Sequence, residues 1–199
     1  MKITIISASS RSQSQSLKIA NYIQTILNKQ LMAASFILDL AQINLPMFDE
    51  ALWTQRKLWN ANWTAISKEL TSSNAIVLVT PEWDGMVPPS LKNVFNLCCD
   101  GELYHKPALI VAISAGNGGA FPIAELRMSS YKNTRICYIP EQMIITEVNA
   151  VFNNFSQISE DREDRLRTRL IYCLNVLHAY AQAFTHISPV LDRKKYLYG

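Results

Sequence analysis

The chain has 199 residues, of which 49% are hydrophobic and 18% charged, with a formal net charge of +3. That length suits one domain with a sizeable core, and the apolar share excludes a disordered chain. The small basic excess forms no dense stripe, which argues against a nucleic-acid partner, and the cluster Arg193, Lys194 and Lys195 reads as a solvated tail.

Along the chain, strand and helix patterns alternate. Lys2–Ala8 opens with Ile3, Ile5 and Ile6, a β-branched run that reads as a buried strand. After a polar stretch around Arg11, Leu17, Ile19, Ala20, Ile23, Ile26 and Leu27 recur at helical spacing and predict a helix over about 14–28. Ser35–Leu40 reads as a second strand, Ile43–Asp49 with its Pro46 as loop, and about 57–71 as a helix. Ala75–Thr80 is apolar at every inner position, as in a parallel strand covered on both faces. Pro89 can open a helix whose inner stripe is Leu91, Val94, Phe95 and Cys98. Ala108–Ile113 is the next buried strand, with a helix predicted over about 120–134 and a weaker fifth strand at Gln142–Thr146. A long helix follows, with Ser159 as cap, Glu160, Asp161 and Glu163 in its first turn, and Asp161/Arg165 and Glu163/Arg167 as i,i+4 pairs. Five strands alternating with five helices predict a single doubly wound α/β domain over residues 1–199.

Several chemistries drop out early. The cysteines Cys98, Cys99, Cys137 and Cys173 contain no Cys-x-x-Cys pair, and His105, His178 and His186 do not stand at metal-ligand spacing to them. No metal site is expected, and buried thiols in a reducing cytoplasm are the simplest assignment. No window approaches the length of apolar chain that spans a bilayer, so no membrane association is expected. With six glycines in all, neither Gly-x-Gly-x-x-Gly nor Gly-x-x-x-x-Gly-Lys-Ser/Thr is present. A phosphate site here has to be built from other residues.

In an open parallel sheet, ligands bind beyond the carboxyl ends of the strands. Three loops leave such ends. Ser7–Ser16 runs into a helix N-terminus with several hydroxyls and Arg11, a setting that favours an anion, and also one that a flexible loop with capping serines would satisfy. Thr80–Asn93 sets Trp83 beside Gly85, offering a flat ring and bare backbone to a planar heterocycle, or a Pro-stiffened turn with the ring packed inward. Ser114–Gly119 clusters three glycines and permits close backbone approach. Together the loops describe a crevice with a phosphate end and a flat-ring end.

At this point the sequence resembles the NADPH-dependent FMN reductases of the flavodoxin-like superfamily, which includes flavin, quinone, azo and chromate reductases. The family pattern Gly-Ser-x-Arg-x-x-Ser-x-Asn is matched by Ala8-Ser9-Ser10-Arg11-Ser12-Gln13-Ser14-Gln15-Ser16. Pro-Glu-Tyr-Asn-Gly-x-x-Pro-x-x-Leu-Lys-Asn is matched by Pro81 through Asn93, and the resemblance covers roughly residues 1–150. It implies a flavodoxin-like three-layer sandwich with a five-stranded parallel sheet of order 2-1-3-4-5 and helices on both faces. It also implies FMN and NADPH as cofactors, with hydride passing from NADPH to flavin and on to a small-molecule acceptor. By resemblance Ser9, Arg11, Ser14 and Ser16 hold the FMN phosphate. Pro81, Glu82, Trp83, Asp84 and Gly85 line the isoalloxazine edge, chiefly through backbone atoms, while Ser114 and Gly116 close the pyrimidine side. No side chain is assigned acid, base or nucleophile.

The match departs from the pattern at Ala8 for Gly, which brings a methyl group near the phosphate, at Ser16 for Asn, at Trp83 for Tyr and at Asp84 for Asn. These changes keep two other readings in view, an FMN electron carrier and a flavin-free binding or regulatory protein. The net basic charge weighs against a carrier with an acidic docking face. Family members are dimers or tetramers, and Trp53, Trp59, Trp63, Tyr196 and Tyr198 are candidate interface aromatics in a homo-oligomer.

Overall fold

The computed structural model describes residues 1–54, 61–153 and 159–187. Among them, strands β1 (Lys2–Ser7), β2 (Ala34–Asp39), β3 (Ala75–Pro81), β4 (Pro107–Ile113) and β5 (Cys137–Ile145) form one parallel sheet in the order β2-β1-β3-β4-β5. The helices among the described residues are α1 (Gln15–Lys29), α2 (Ala51–Thr54), α3 (Ala61–Ser72), α4 (Pro89–Leu97), α5 (Ala120–Met128) and α6 (Glu160–Phe184), with a 3-10 turn at Val148–Ala150.

The period-two geometry of a strand sorts the core into two halves. Ile3, Ile5, Val77, Val79, Leu109 and Val111 pack under α1 and α6. Ile6, Ile76, Leu78, Ile110 and Ala112 face α3, α4 and α5. Every residue of β3 and β4 is buried, as a parallel sheet covered on both sides requires. Each fully buried Leu, Ile or Val contributes about 1.5–3 kcal/mol.

Several boundaries differ from the sequence expectation. The predicted helix over 120–134 stops at Met128, where Ser129 and Ser130 turn their hydroxyls onto the carbonyls of Glu125 and Leu126, and Ser130 takes a positive φ of 65°. Serines that bond backbone in this way compete with the helix ladder. Strand β5 starts five residues earlier than expected, at Cys137 rather than Gln142, because a bulge hides it. Ala108 pairs with Tyr138 and Ile110 with Gln142, so Ile139, Pro140 and Glu141 face one residue of β4. Arg127 spans the bulge, donating to Gln142 Oε1 at 2.9 Å and to the Ile139 carbonyl at 2.8 Å.

Ser159 is the N-cap residue of α6, as expected, but its side chain makes no capping bond. Glu163 and Arg167 form the predicted i,i+4 pair at 3.5 Å, and Arg167 also reaches Asp164. Trp63 is buried in the core beneath α3 and so does not serve an interface. Trp53 is exposed, whereas Trp59, Tyr196, Tyr198, the basic cluster Arg193–Lys195 and the start of the predicted helix over 57–71 lie outside the described residues. Among the described residues, no helix is long and apolar enough to cross a membrane, and no group of three or more His, Cys, Asp or Glu could hold a metal ion.

Candidate functional site

The three loops converge at the carboxyl ends of β1, β3 and β4. They enclose a cleft of about 260 Å3 lined by Ser9, Arg11, Ser16, Pro81, Glu82, Trp83 and Ser114, among others. A larger hollow of about 650 Å3 runs along the exposed face of α6.

At one end of the cleft stands the N-terminus of α1. The first N–H groups of a helix have no intrahelical partner, and α1 carries no acid in its first turn to compete for them. Ser14 is the N-cap, its Oγ accepting the Leu17 N–H at 2.9 Å. Ser9 Oγ accepts the Arg11 N–H at 3.2 Å. Both hydroxyls keep a proton to donate. Ser16 Oγ is fully buried, lines the cleft and meets no hydrogen-bond partner among the described residues. An orphan of that kind in a polar pocket calls for a ligand atom or a water.

Ala8 does not crowd this end. Its methyl group is buried with Leu91 and Val94 in the core on the α4 side. Its N–H donates to the Val79 carbonyl at 2.9 Å, and its φ is not positive. The backbone there continues the sheet and requires no glycine.

At the other end, Trp83 and Met86 exchange backbone hydrogen bonds of 3.1 and 2.8 Å around Asp84 and Gly85, whose φ values are 50° and 72°. Two positive φ values in a two-residue hairpin define a type I′ turn, for which Asp-Gly and Asn-Gly are the favoured pairs. Asp84 therefore keeps the local backbone that Asn would give. The Arg11 guanidinium lies over the Trp83 ring, 5.5 Å from its centroid, and so joins the two ends of the crevice. The Ser114–Gly119 loop folds around Ser114 Oγ, which accepts the N–H groups of Gly116 and Gly118, each at 3.2 Å.

Three polar side chains on α4 pin the surrounding loops. Ser90 donates to the Ala8 carbonyl at 2.8 Å. The buried Asn93 accepts from the Phe48 N–H at 2.8 Å and donates to the Pro46 carbonyl at 2.9 Å, holding the loop after β2. Lys92 pairs with Glu125 of α5, and Glu125 accepts the Val87 N–H at 2.7 Å just beyond the hairpin. Burial raises the Glu125 carboxyl, but the Lys92 and Val87 hydrogen bonds and the Lys92 charge outweigh it and hold it below its ordinary value. A depressed carboxylate contributes stability above its unfolded pKa and loses it as pH falls through the folded value. The expected stability gap between wild type and Glu125→Gln is up to about 1 kcal/mol at neutral pH, closing as pH drops below ~4.3. Urea unfolding at a series of pH values measures it, and a gap independent of pH would refute the assignment.

Of the residues expected at the site, Ser9, Arg11, Ser16, Pro81, Glu82, Trp83 and Ser114 meet in this cleft. Ser14, Asp84, Gly85 and Gly116 do not line it. Ser14 caps α1, Asp84 and Gly85 form the hairpin turn beside Trp83, and a Cβ at Gly116 would meet nothing within 4 Å. Sequence reasoning gave no site role to Gln13, Gln15, Ile113, Ala115, Val148 and Asn149, which also line the cleft. Val148 and Asn149 come from the 3-10 turn after β5, a wall held by Lys18 of α1. Its Nζ donates to the carbonyls of Val148 and Val151 at 2.7 and 2.8 Å. A lysine spaced so far from its acceptors leaves no signal in a local pattern.

A family model described as NADPH-dependent FMN reductase matches residues 1–150. The chain is 26% identical over 148 residues to an NADPH azoreductase of Bacillus sp. (strain OY1-2), an overlap of 73% of this chain and 76% of that one. It is 26% identical over 124 residues to a quinone reductase of Pseudomonas putida, covering 60% of this chain and 63% of that one. Among solved structures it resembles the flavoenzyme NAD(P)H:(acceptor) oxidoreductase FerB of Paracoccus denitrificans. That match has a TM-score of 0.70 and 18% identity over 90% of this chain and 98% of the other, a likeness of fold.

Proposed function

We propose, because this chain belongs to the NADPH-dependent FMN reductase family, that it uses the crevice to pass reducing equivalents from NADPH to a flavin, quinone or azo acceptor. Membership makes it an oxidoreductase whose cofactors are FMN and NADPH. The observation that carries the reading is the buried Ser16 hydroxyl, unpartnered among the described residues, in one cleft with Arg11 and Trp83. The donors fit a phosphate monoester: one guanidinium fork, the hydroxyls of Ser9 and Ser16, and the free N–H groups of α1, whose N-terminus Ser14 caps. FMN when bound supplies the hydride and electron chemistry. The chain's task is to bind, orient and exclude water. Pro81, Glu82 and Trp83 offer backbone and the Trp83 plane to the ring, Asp84 and Gly85 form the turn beside it, and Ser114, whose Oγ holds the Gly116 N–H, closes its pyrimidine side. No side chain need act as acid, base or nucleophile.

We place the whole of residues 1–199 in one domain, working in the cytoplasm as a homodimer or homotetramer. Met86 and Phe121, exposed by 50% and 64% beside the crevice, support an interface there. Family membership favours the enzyme over the electron carrier and over the flavin-free module.

The test is NADPH oxidation by the FMN-loaded protein, with a quinone, an azo dye and free flavin offered in turn. Turnover with at least one is the expected result, and failure with all three would overturn the reading. A second expectation concerns potential. Asp84→Asn keeps the type I′ turn and removes a negative charge beside the ring, so the bound flavin's midpoint potential rises. A redox titration giving an unchanged or lower potential in the variant would count against this placement of the ring.

A further inference from the structure

The Glu82 side chain has a task that the resemblance does not assign it. Its Oε2 accepts the Gly119 N–H at 2.5 Å, across from the loop after β3 to the loop after β4. Gly119 is the N-cap of α5, which has no side-chain cap of its own and no acid in its first turn. The Glu82 carboxylate therefore supplies, from another element, the anion that a helix N-terminus favours. Its Oε1 lies 2.7 Å from where a Cβ on Gly118 would stand, so any larger residue at 118 displaces the carboxylate. That atom is the end of a flexible side chain, so the clash itself is cheaply relieved, at the cost of the Gly119 hydrogen bond. The backbone of Glu82 is fixed separately, its N–H donating to the Ile113 carbonyl at 3.0 Å.

We propose that Glu82 is a positioning residue. Its carboxylate staples the Pro81–Gly85 and Ser114–Gly119 loops together, setting the gap that receives the flavin ring, and Gly118 is glycine to admit it. The staple rests on the reading that FMN occupies this crevice. It also puts a negative charge at the ring end, which opposes build-up of charge on a reduced flavin.

The experiment compares Glu82→Ala, Glu82→Gln, Gly118→Ala and the double variant Glu82→Ala/Gly118→Ala. FMN dissociation constants come from quenching of FMN fluorescence by apoprotein, and midpoint potentials from redox titration. Glu82→Ala and Gly118→Ala are each expected to weaken FMN binding about tenfold, the entropic cost of ordering roughly one more loop residue on binding. Glu82→Gln keeps an acceptor oxygen, so it binds FMN better than Glu82→Ala and shows a higher flavin potential than wild type. The double variant binds no worse than Glu82→Ala, because the displaced group is already gone. A merely structural role would lower the urea midpoint and leave affinity and potential in place, which would overturn the proposal. So would a Gly118→Ala penalty of equal size with and without Glu82. Arg11→Ala separates the two readings. If it weakens FMN binding and Glu82→Ala does not, the staple fails; if neither does, the placement of FMN fails. Should Glu82→Ala not fold, Glu82→Gln and Gly118→Ala decide the matter alone.

Discussion

Replacing Arg11 by alanine is expected to weaken FMN binding to the apoprotein by about 10–100-fold while leaving the fold in place. A hydrogen bond to a charged group is worth about 1.5–3 kcal/mol, and 1.4 kcal/mol is a factor of ten in affinity. Arg11 is exposed, and its visible contact within the protein is the stacking over Trp83, worth about 0.5–1 kcal/mol at such a site. Folding therefore loses far less than binding. Arg11→Lys restores the charge but not the planar fork, and should recover part of the affinity. Fluorescence titration at two ionic strengths measures both effects, since the wild-type advantage over Arg11→Ala shrinks as salt rises. An Arg11→Ala affinity within twofold of wild type would remove Arg11 from the phosphate site and with it the orientation proposed for FMN.

Most of this architecture was legible in the sequence because the sheet is parallel and buried. Ala75–Thr80 and Ala108–Ile113 are continuous apolar runs, and only a strand covered on both faces tolerates that pattern over so few residues. The strand order 2-1-3-4-5 came from resemblance, and the register pairs now carry it. Local pattern failed where structure is set by partners distant in sequence. The early part of β5 contains Pro140 and Glu141, residue types that strands disfavour. Its bulge is made tenable by Arg127, more than ten residues away. The wall at Val148 and Asn149 depends on Lys18, and the hold on loop 46–48 depends on Asn93. In the motif from Pro81 to Asn93, Pro81, Glu82 and Trp83 face the cleft. The second half, Ser90, Lys92 and Asn93, ties neighbouring loops in place. A spacing pattern cannot separate those two kinds of work, because both demand fixed residues at fixed positions.

Gly119 shows the same dependence on distant partners, and its replacement carries the largest expected loss of stability. Its φ of +120° lies outside what a side-chain-bearing residue adopts without strain, at about 1–3 kcal/mol. A Cβ there would stand 2.6 Å from Ile144 Cγ2 of β5, and such overpacking adds about 1–3 kcal/mol. Gly119→Ala is thus expected to cost about 2–5 kcal/mol in urea unfolding. The two causes can be separated. Ile144→Ala removes the colliding Cγ2, leaving the next Ile144 atom, Cβ, at 3.7 Å, an ordinary contact. Gly119→Ala made in the Ile144→Ala background should therefore regain the packing share and keep the backbone share, a coupling of about 1–3 kcal/mol. Equal costs in the two backgrounds would assign the whole penalty to φ. A cost under about 0.5 kcal/mol in both, the size of an ordinary surface change, would mean that the loop relaxes freely. A freely relaxing loop would carry no gap for Glu82 to set, because the N–H that Glu82 grips belongs to Gly119 itself.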